Sequence, residues 1–156
     1  MKTIASFTVD HDKLQKGLYV SRVDGDVITY DLRMAVPNSG VYLQNAAMHT
    51  FEHLLATCLR NSAYGEQIVY VGPMGCRTGF YLLTRTVLAK SLAIDVVRGA
   101  LAYIATYQGV VPGTESSREC GNYLEHDLPG AKAMAEDMCH VLVDWTEPML
   151  DYDWHQ

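Results

Sequence analysis

Gly17-Leu18-Tyr19-Val20-Ser21-Arg22-Val23-Asp24-Gly25-Asp26-Val27-Ile28-Thr29-Tyr30-Asp31-Leu32-Arg33-Met34-Ala35-Val36 reads as two strands about a turn. In the second half, Ile28, Tyr30, Leu32, Met34 and Val36 fall on one face, and Val27, Thr29, Asp31 and Arg33 on the other. A period of two is what a half-buried strand requires, because successive side chains leave opposite faces. Asp24-Gly25-Asp26 supplies the turn, since glycine accepts the left-handed backbone a tight hairpin needs. Strands are therefore expected over residues 17–23 and 27–36.

Working outward, Pro37-Asn38-Ser39-Gly40 breaks the chain, and a helix is expected over residues 45–61, capped by Asn45. Its apolar stripe is Met48, Phe51, Leu55 and Leu59. Residues 67–71 and 80–88 read as strands, separated by Pro73-Met74-Gly75-Cys76-Arg77-Thr78-Gly79. A second helix is expected over residues 92–107, with Leu92, Val96, Tyr103, Ile104 and Tyr107 on one side. A Gly/Pro/Ser-rich loop follows at 109–117, and a last helix runs from Pro129 to about Trp145. Hairpin-length turns interspersed with helices give an α+β fold, an antiparallel sheet covered by helices. No linker or repeat divides residues 1–156, so a single domain is expected.

Composition narrows the function classes. The chain is 49% hydrophobic and 19% charged, with a formal charge of −6. That is globular, and it carries no basic patch for nucleic acid or an anionic membrane. The N-terminal stretch lacks a signal-peptide apolar core, and the longest apolar run, 91–111, contains Asp95 and Arg98. A cytoplasmic location is expected, with Cys58, Cys76, Cys120 and Cys139 reduced unless they bind metal or do chemistry.

Chemistry concentrates in His49-Thr50-Phe51-Glu52-His53. On a helix, residues three and four apart share a face, so two imidazoles and a carboxylate converge. This is the reversed form of the zinc-hydrolase helix motif, a ligand pair beside a general base. A catalytic metal usually takes three protein ligands and keeps one position open. Cys120 is the leading third donor, because thiolate binds divalent metals selectively and Gly121 allows close backbone approach. Cys58 and Cys139 sit within helical patterns and read as small buried hydrophobes. Cys76, between Gly75 and Gly79 and next to Arg77, is placed like a reactive thiol.

Each of these features also has a plainer reading. The His/Glu face alone fits a solvated helix surface as well as a metal site. A turn cysteine can be structural, and Asp10-His11 and Glu125-His126-Asp127 can be ordinary surface polars. Periodicity and spacing support an α+β domain that can bind metal, and stop there.

Three segments together carry a resemblance: His49-Thr50-Phe51-Glu52-His53-Leu54, Pro73-Met74-Gly75-Cys76-Arg77-Thr78-Gly79-Phe80-Tyr81 and Glu119-Cys120-Gly121-Asn122-Tyr123. In this order and spacing they resemble the S-ribosylhomocysteine lyase family, bacterial enzymes that make the autoinducer-2 precursor. Ser6-Phe7-Thr8-Val9-Asp10-His11, Tyr30-Asp31-Leu32-Arg33 with Pro37-Asn38, and His126-Asp127-Leu128 with Ala131 match as well. The resemblance spans residues 6–131.

The resemblance implies one divalent metal per subunit, Fe²⁺ with Zn²⁺ or Co²⁺ as substitutes, held by His49, His53 and Cys120. It implies Cys76 and Glu52 as the acid/base pair that moves protons while a carbonyl migrates along the ribose and the thioether breaks. It further implies a homodimer with the site at the interface, where Ser6, His11 and Arg33 reach substrate. Arg33 has the fork geometry for a carboxylate, and a partnership with Asp31 is its alternative role. The chain departs from the family at Tyr70, where an aspartate is usual, and along residues 84–91. A phenol can still hydrogen-bond a sugar hydroxyl, so Tyr70 is retained as a substrate contact. Two other classes share the His49/Glu52/His53 helix: a reversed-motif metal hydrolase, and a metal- or ligand-binding relative without activity.

Overall fold

Strand pairing begins with the hairpin. In the computed structural model, which describes residues 2–4 and 7–153, β1 (Gly17–Asp24) and β2 (Val27–Arg33) pair antiparallel about Gly25, whose φ is 58°. β3 (Ile68–Pro73) and β4 (Gly79–Arg85) form a second antiparallel pair. β4 joins β2, giving the order β1-β2-β4-β3. Three helices complete the domain: α1 (Asn45–Arg60), α2 (Lys90–Ala105) and α3 (Leu128–Val141).

The register places Leu18, Leu32 and Phe80 in one row, and Tyr30 opposite Leu82, on the face that meets the helices. Phe51 of α1 packs on Phe80 with ring centroids 4.9 Å apart, and both rings are fully buried. Removing a ring of that size from a closed core costs about 3–5 kcal/mol. The stripe Met48, Phe51, Leu55, Leu59 is buried as expected, and Leu54 joins it. This packing leaves His49 and His53 at the edge of the core, half-buried.

Several boundaries differ from expectation, each for a local reason. α1 is capped by Gln44, not Asn45, without a side-chain hydrogen bond. β2 ends at Arg33, because Met34 and Ala35 turn their N–H groups onto the carbonyl of Thr78, at 2.9 and 3.0 Å. α2 buries Ala93, Ile94, Val97, Ala100, Leu101 and Ile104, while Leu92 and Tyr103 are exposed. Small residues let α2 approach its neighbours closely, so the stripe follows alanine rather than bulk. α3 stops at Val141, and Arg98 of α2 donates to the carbonyls of Leu142, Val143 and Trp145 at 2.7, 3.0 and 2.7 Å. That arginine fastens the turn that follows α3 to α2. The N-cap of α3 is Asp127, which accepts from Gly130 N at 2.9 Å.

Candidate metal centre and the Cys76 cleft

His49 and His53 lie one turn apart on α1, with ring centroids 4.7 Å apart and planes at 86°. Loops orient both rings. His49 Nδ1 donates to the carbonyl of Glu125 at 2.8 Å, and His53 Nδ1 donates to that of Pro112 at 2.7 Å. A carbonyl can only accept, so in its neutral form each ring carries its proton on Nδ1 and leaves Nε2 bare. An imidazole held through its outer nitrogen is how proteins prepare a metal ligand.

The loop after α2 is shaped for this contact. Gly113 has φ +74°, and a Cβ there would stand 3.2 Å from His53 Nδ1. Only glycine fits both the backbone and the ring.

Cys120 reaches the same place from the next loop, its Sγ 3.3 Å from His49 Nε2 and receiving Asn122 N–H at 3.4 Å. Glu119 fixes that loop by accepting from the backbone of Glu115 and Ser116 at 2.9 and 3.1 Å. Contrary to the expectation above, Gly121 is not needed for close approach, because a Cβ there would meet nothing within 4 Å.

His126 belongs to the cluster too. His49, His53, Cys120 and His126 each offer a ligand atom, all within 4.8 Å of one another, and the group could hold a metal ion. Burial first, then the charges of His49 and His53, holds His126 below the ordinary histidine range. The sequence alone leaves His126 among possible surface polars, and the resemblance includes the His126-Asp127-Leu128 segment without giving His126 a role. The available signal was its position directly before the N-cap of α3, which draws that helix onto α1 through Thr50.

Glu52, on the same helix, is half-buried, and its carboxylate makes no hydrogen bond or ion pair among the described residues. It stands beside the cluster without belonging to it.

Cys76 occupies a different surface. It is exposed and lines an open cleft with His11, Asn38, Tyr42, Arg77 and Thr78. No residue of the cluster lines that cleft. The left-handed residue of its turn is Arg77, φ 59°, rather than a glycine. Leu43 N–H to the Arg77 carbonyl (3.0 Å) and the bonds from Met34 and Ala35, just past β2, to the Thr78 carbonyl clamp the turn in place. Arg77 lies over the ring of Tyr42 at 5.7 Å. Gly79 is obligatory, since a Cβ would stand 2.2 Å from the Leu32 carbonyl oxygen.

Behind the cleft runs a buried polar chain. Cys76 Sγ is 3.0 Å from Thr78 Oγ1, which accepts from Arg33 at 2.6 Å. Arg33 forks onto both oxygens of Asp31, at 3.1 and 2.5 Å, and Tyr152 donates to Asp31 at 2.8 Å. Arg33 and Asp31 are therefore buried, although they sit on the nominally polar face of β2. The guanidinium stays firmly protonated, because Asp31 outweighs the burial that opposes its charge. The cost of burying an ion pair is met only when such hydrogen bonds are complete.

Among the remaining candidates, His11 Nδ1 donates to the Val9 carbonyl at 2.9 Å. Ser6 lies outside the described residues. Tyr70 is exposed on the outer sheet face beside Tyr81 and Leu83, and its ring lies back over Gly72, toward the end of β3 that leads to Cys76. Burial pushes the thiols of Cys58 and Cys139 up, as suits packing groups.

Comparison with known proteins covers nearly the whole chain. The family model described as S-Ribosylhomocysteinase (LuxS) matches residues 4–149. The S-ribosylhomocysteine lyase of Clostridium acetobutylicum is 45% identical over 97% of this chain and 99% of its own length. That of Phocaeicola vulgatus is 45% identical over 97% and 98%. The protein of the same description from Borreliella burgdorferi is also 45% identical, over 97% and 99%.

Proposed function

Because the chain belongs to the S-ribosylhomocysteinase family, we propose that it is a carbon–sulfur lyase that cleaves S-ribosylhomocysteine to homocysteine and 4,5-dihydroxy-2,3-pentanedione. The observation that carries this reading is the end-to-end match, at 45% identity over 97% of the chain, to relatives of that description. The donor cluster supports it. Two bare imidazole nitrogens and a thiol suit a borderline divalent metal, and we assign His49, His53 and Cys120 as its ligands.

Fe²⁺ is the expected native ion, with Zn²⁺ or Co²⁺ able to replace it. When bound, it supplies Lewis-acid stabilisation of negative charge on the sugar oxygens. The protein's own groups then move protons. A carbonyl must migrate along the ribose until sulfur lies β to it, so protons are removed from one carbon and returned to its neighbour. Cys76 and Glu52 take these two roles, each able to act in both directions. In the last step the C–S bond breaks as a proton leaves the adjacent carbon, and the sulfur leaves as homocysteine.

Cys76 and His11 share a cleft that contains none of the cluster residues, which supports a homodimer in which one subunit's cleft faces its partner's cluster. Arg33 holds the Thr78–Cys76 turn from behind, and Ser6 and Tyr70 are retained as substrate contacts. Among the described residues no helix is long and apolar enough to cross a membrane, and a cytoplasmic location accords with the reduced thiols the chemistry needs. The hydrolase reading of the His49–His53 helix is not favoured, since the relatives matched are lyases.

The test is release of free thiol from S-ribosylhomocysteine by anaerobically metal-loaded protein. Thiol should appear with wild type and vanish in Cys76→Ala while metal content is retained. Wild type that holds its metal yet releases no thiol would refute the assignment.

A further inference from the structure

We propose that His126 is a substrate-contacting residue whose Nε2–H donates a hydrogen bond to a sugar oxygen of the substrate at the His49–His53–Cys120 cluster. The inference rests on the functional reading above, and it separates His126 from the ligands it accompanies.

The tautomer follows from one hydroxyl. Thr50 Oγ1 already accepts from Asp127 N–H at 2.9 Å, and it also meets His126 Nδ1 at 3.0 Å. Thr50 is fully buried, so its own proton needs a protein acceptor. His126 Nδ1 supplies it. With Nδ1 accepting, the neutral ring carries its proton on Nε2, the opposite arrangement to His49 and His53. That Nε2 is buried without a hydrogen-bond partner. An N–H left so is unfavourable unless an acceptor arrives.

Ring geometry excludes ligation alongside His49. A bound metal lies close to the plane of each imidazole that holds it, about 2.0–2.1 Å from the nitrogen. His49 and His53 are nearly perpendicular, so one point can lie in both planes. His126 instead stacks on His49, centroids 4.1 Å apart and planes inclined by 25°. Planes so close to parallel meet only far beyond the reach of such a bond. His126 therefore contributes a donor to the cluster and not a fourth ligand. A polyhydroxylated sugar is the kind of ligand that brings oxygen acceptors there.

Three measurements on the Zn²⁺-loaded protein test this. Long-range ¹H–¹⁵N correlation should show His126 protonated on Nε2; a bare Nε2 would overturn the proposal. His126→Ala should keep its zinc against a chelator, and loss of the metal would reassign the residue as a ligand. In a Cys76→Ala background, calorimetry with S-ribosylhomocysteine should show binding weakened roughly tenfold by His126→Ala. His126→Gln, which places an amide N–H near the Nε2 position, should recover part of that loss. Thr50→Val should weaken binding while Thr50→Ser preserves it. Unchanged affinity in His126→Ala would sink the proposal by itself. Failure of wild-type thiol release would instead sink the functional reading, so the two failures are told apart.

Discussion

Replacing Asp31 by asparagine should expose how much the domain depends on the polar chain behind Cys76. The change keeps the shape and removes one charge from a pair whose side chains are only 1% and 4% exposed. Arg33 then remains buried with no counter-charge, and one of its two bonds to residue 31 becomes a donor facing a donor. Opposite charges roughly 4 Å apart at an effective dielectric of about 20 attract by about 4 kcal/mol. Breaking a buried pair from one side typically costs about 3–5 kcal/mol, because the surviving charge is stranded. We expect a loss of about 3–4 kcal/mol and a fall in Tm of roughly 10 °C for a chain of this size. Urea unfolding followed by fluorescence of Trp145, buried against Tyr19, measures it. The double variant Asp31→Leu/Arg33→Met should be closer to wild type, since it strands no charge and takes only one neutral hydrogen bond each from Tyr152 and Thr78. A loss under about 1 kcal/mol, or a double variant worse than the single, would refute this account of the pair.

Other consequences follow from the same contacts. Cys120→Ala should lose most of its bound metal on dialysis with little change in secondary structure by circular dichroism; full retention would remove Cys120 from the ligand set. Gly113→Ala forces a Cβ into a left-handed backbone and against His53, so metal affinity should fall and stability drop by about 1–2 kcal/mol, read by chelator competition and thermal melting. Arg98→Ala leaves the turn after α3 without three charge-assisted bonds and should cost about 2 kcal/mol in urea unfolding. Burial pushes the phenol of Tyr30 up to about 12, and burial with the charge of Asp31 raises that of Tyr152. Both groups ionise first in the unfolded chain, so their contribution is complete below about pH 10 and is lost as pH rises past it. Melting temperature should therefore fall between pH 10 and 12 in wild type, and less steeply in Tyr152→Phe.

The hairpin, the α1 stripe and the His49/His53 pair were legible because each is a local periodicity. Alternation over β2 and the recurrence of Met48, Phe51, Leu55 and Leu59 are written in adjacent residues. Cys120 and Cys76 were legible through a motif resemblance, not through spacing. His126 fell within a matching segment but its place in the cluster was not legible, because that depends on Thr50, 76 residues away, and on the fold of the loop between α2 and α3. The buried face of α2 was misread because bulk suggested Leu92 and Tyr103, whereas close packing selected Ala93, Val97 and Ala100. Arg33 looked available for substrate from its polar strand face. The C-terminal segment, which brings Tyr152 over Asp31, covers that face and turns the pair inward.

By itself, then, the sequence determined the element types, the antiparallel hairpin and the helix that carries His49, Glu52 and His53, since these depend on neighbours within one or two turns. The tertiary structure decided which nitrogens are bare, which thiol meets them and which cleft Cys76 opens into. Those outcomes rest on hydrogen bonds between segments far apart in the chain: His53 to Pro112, His49 to Glu125, Thr78 to Arg33. A proton's place on an imidazole is set by the atom it faces, and that atom is chosen by the fold.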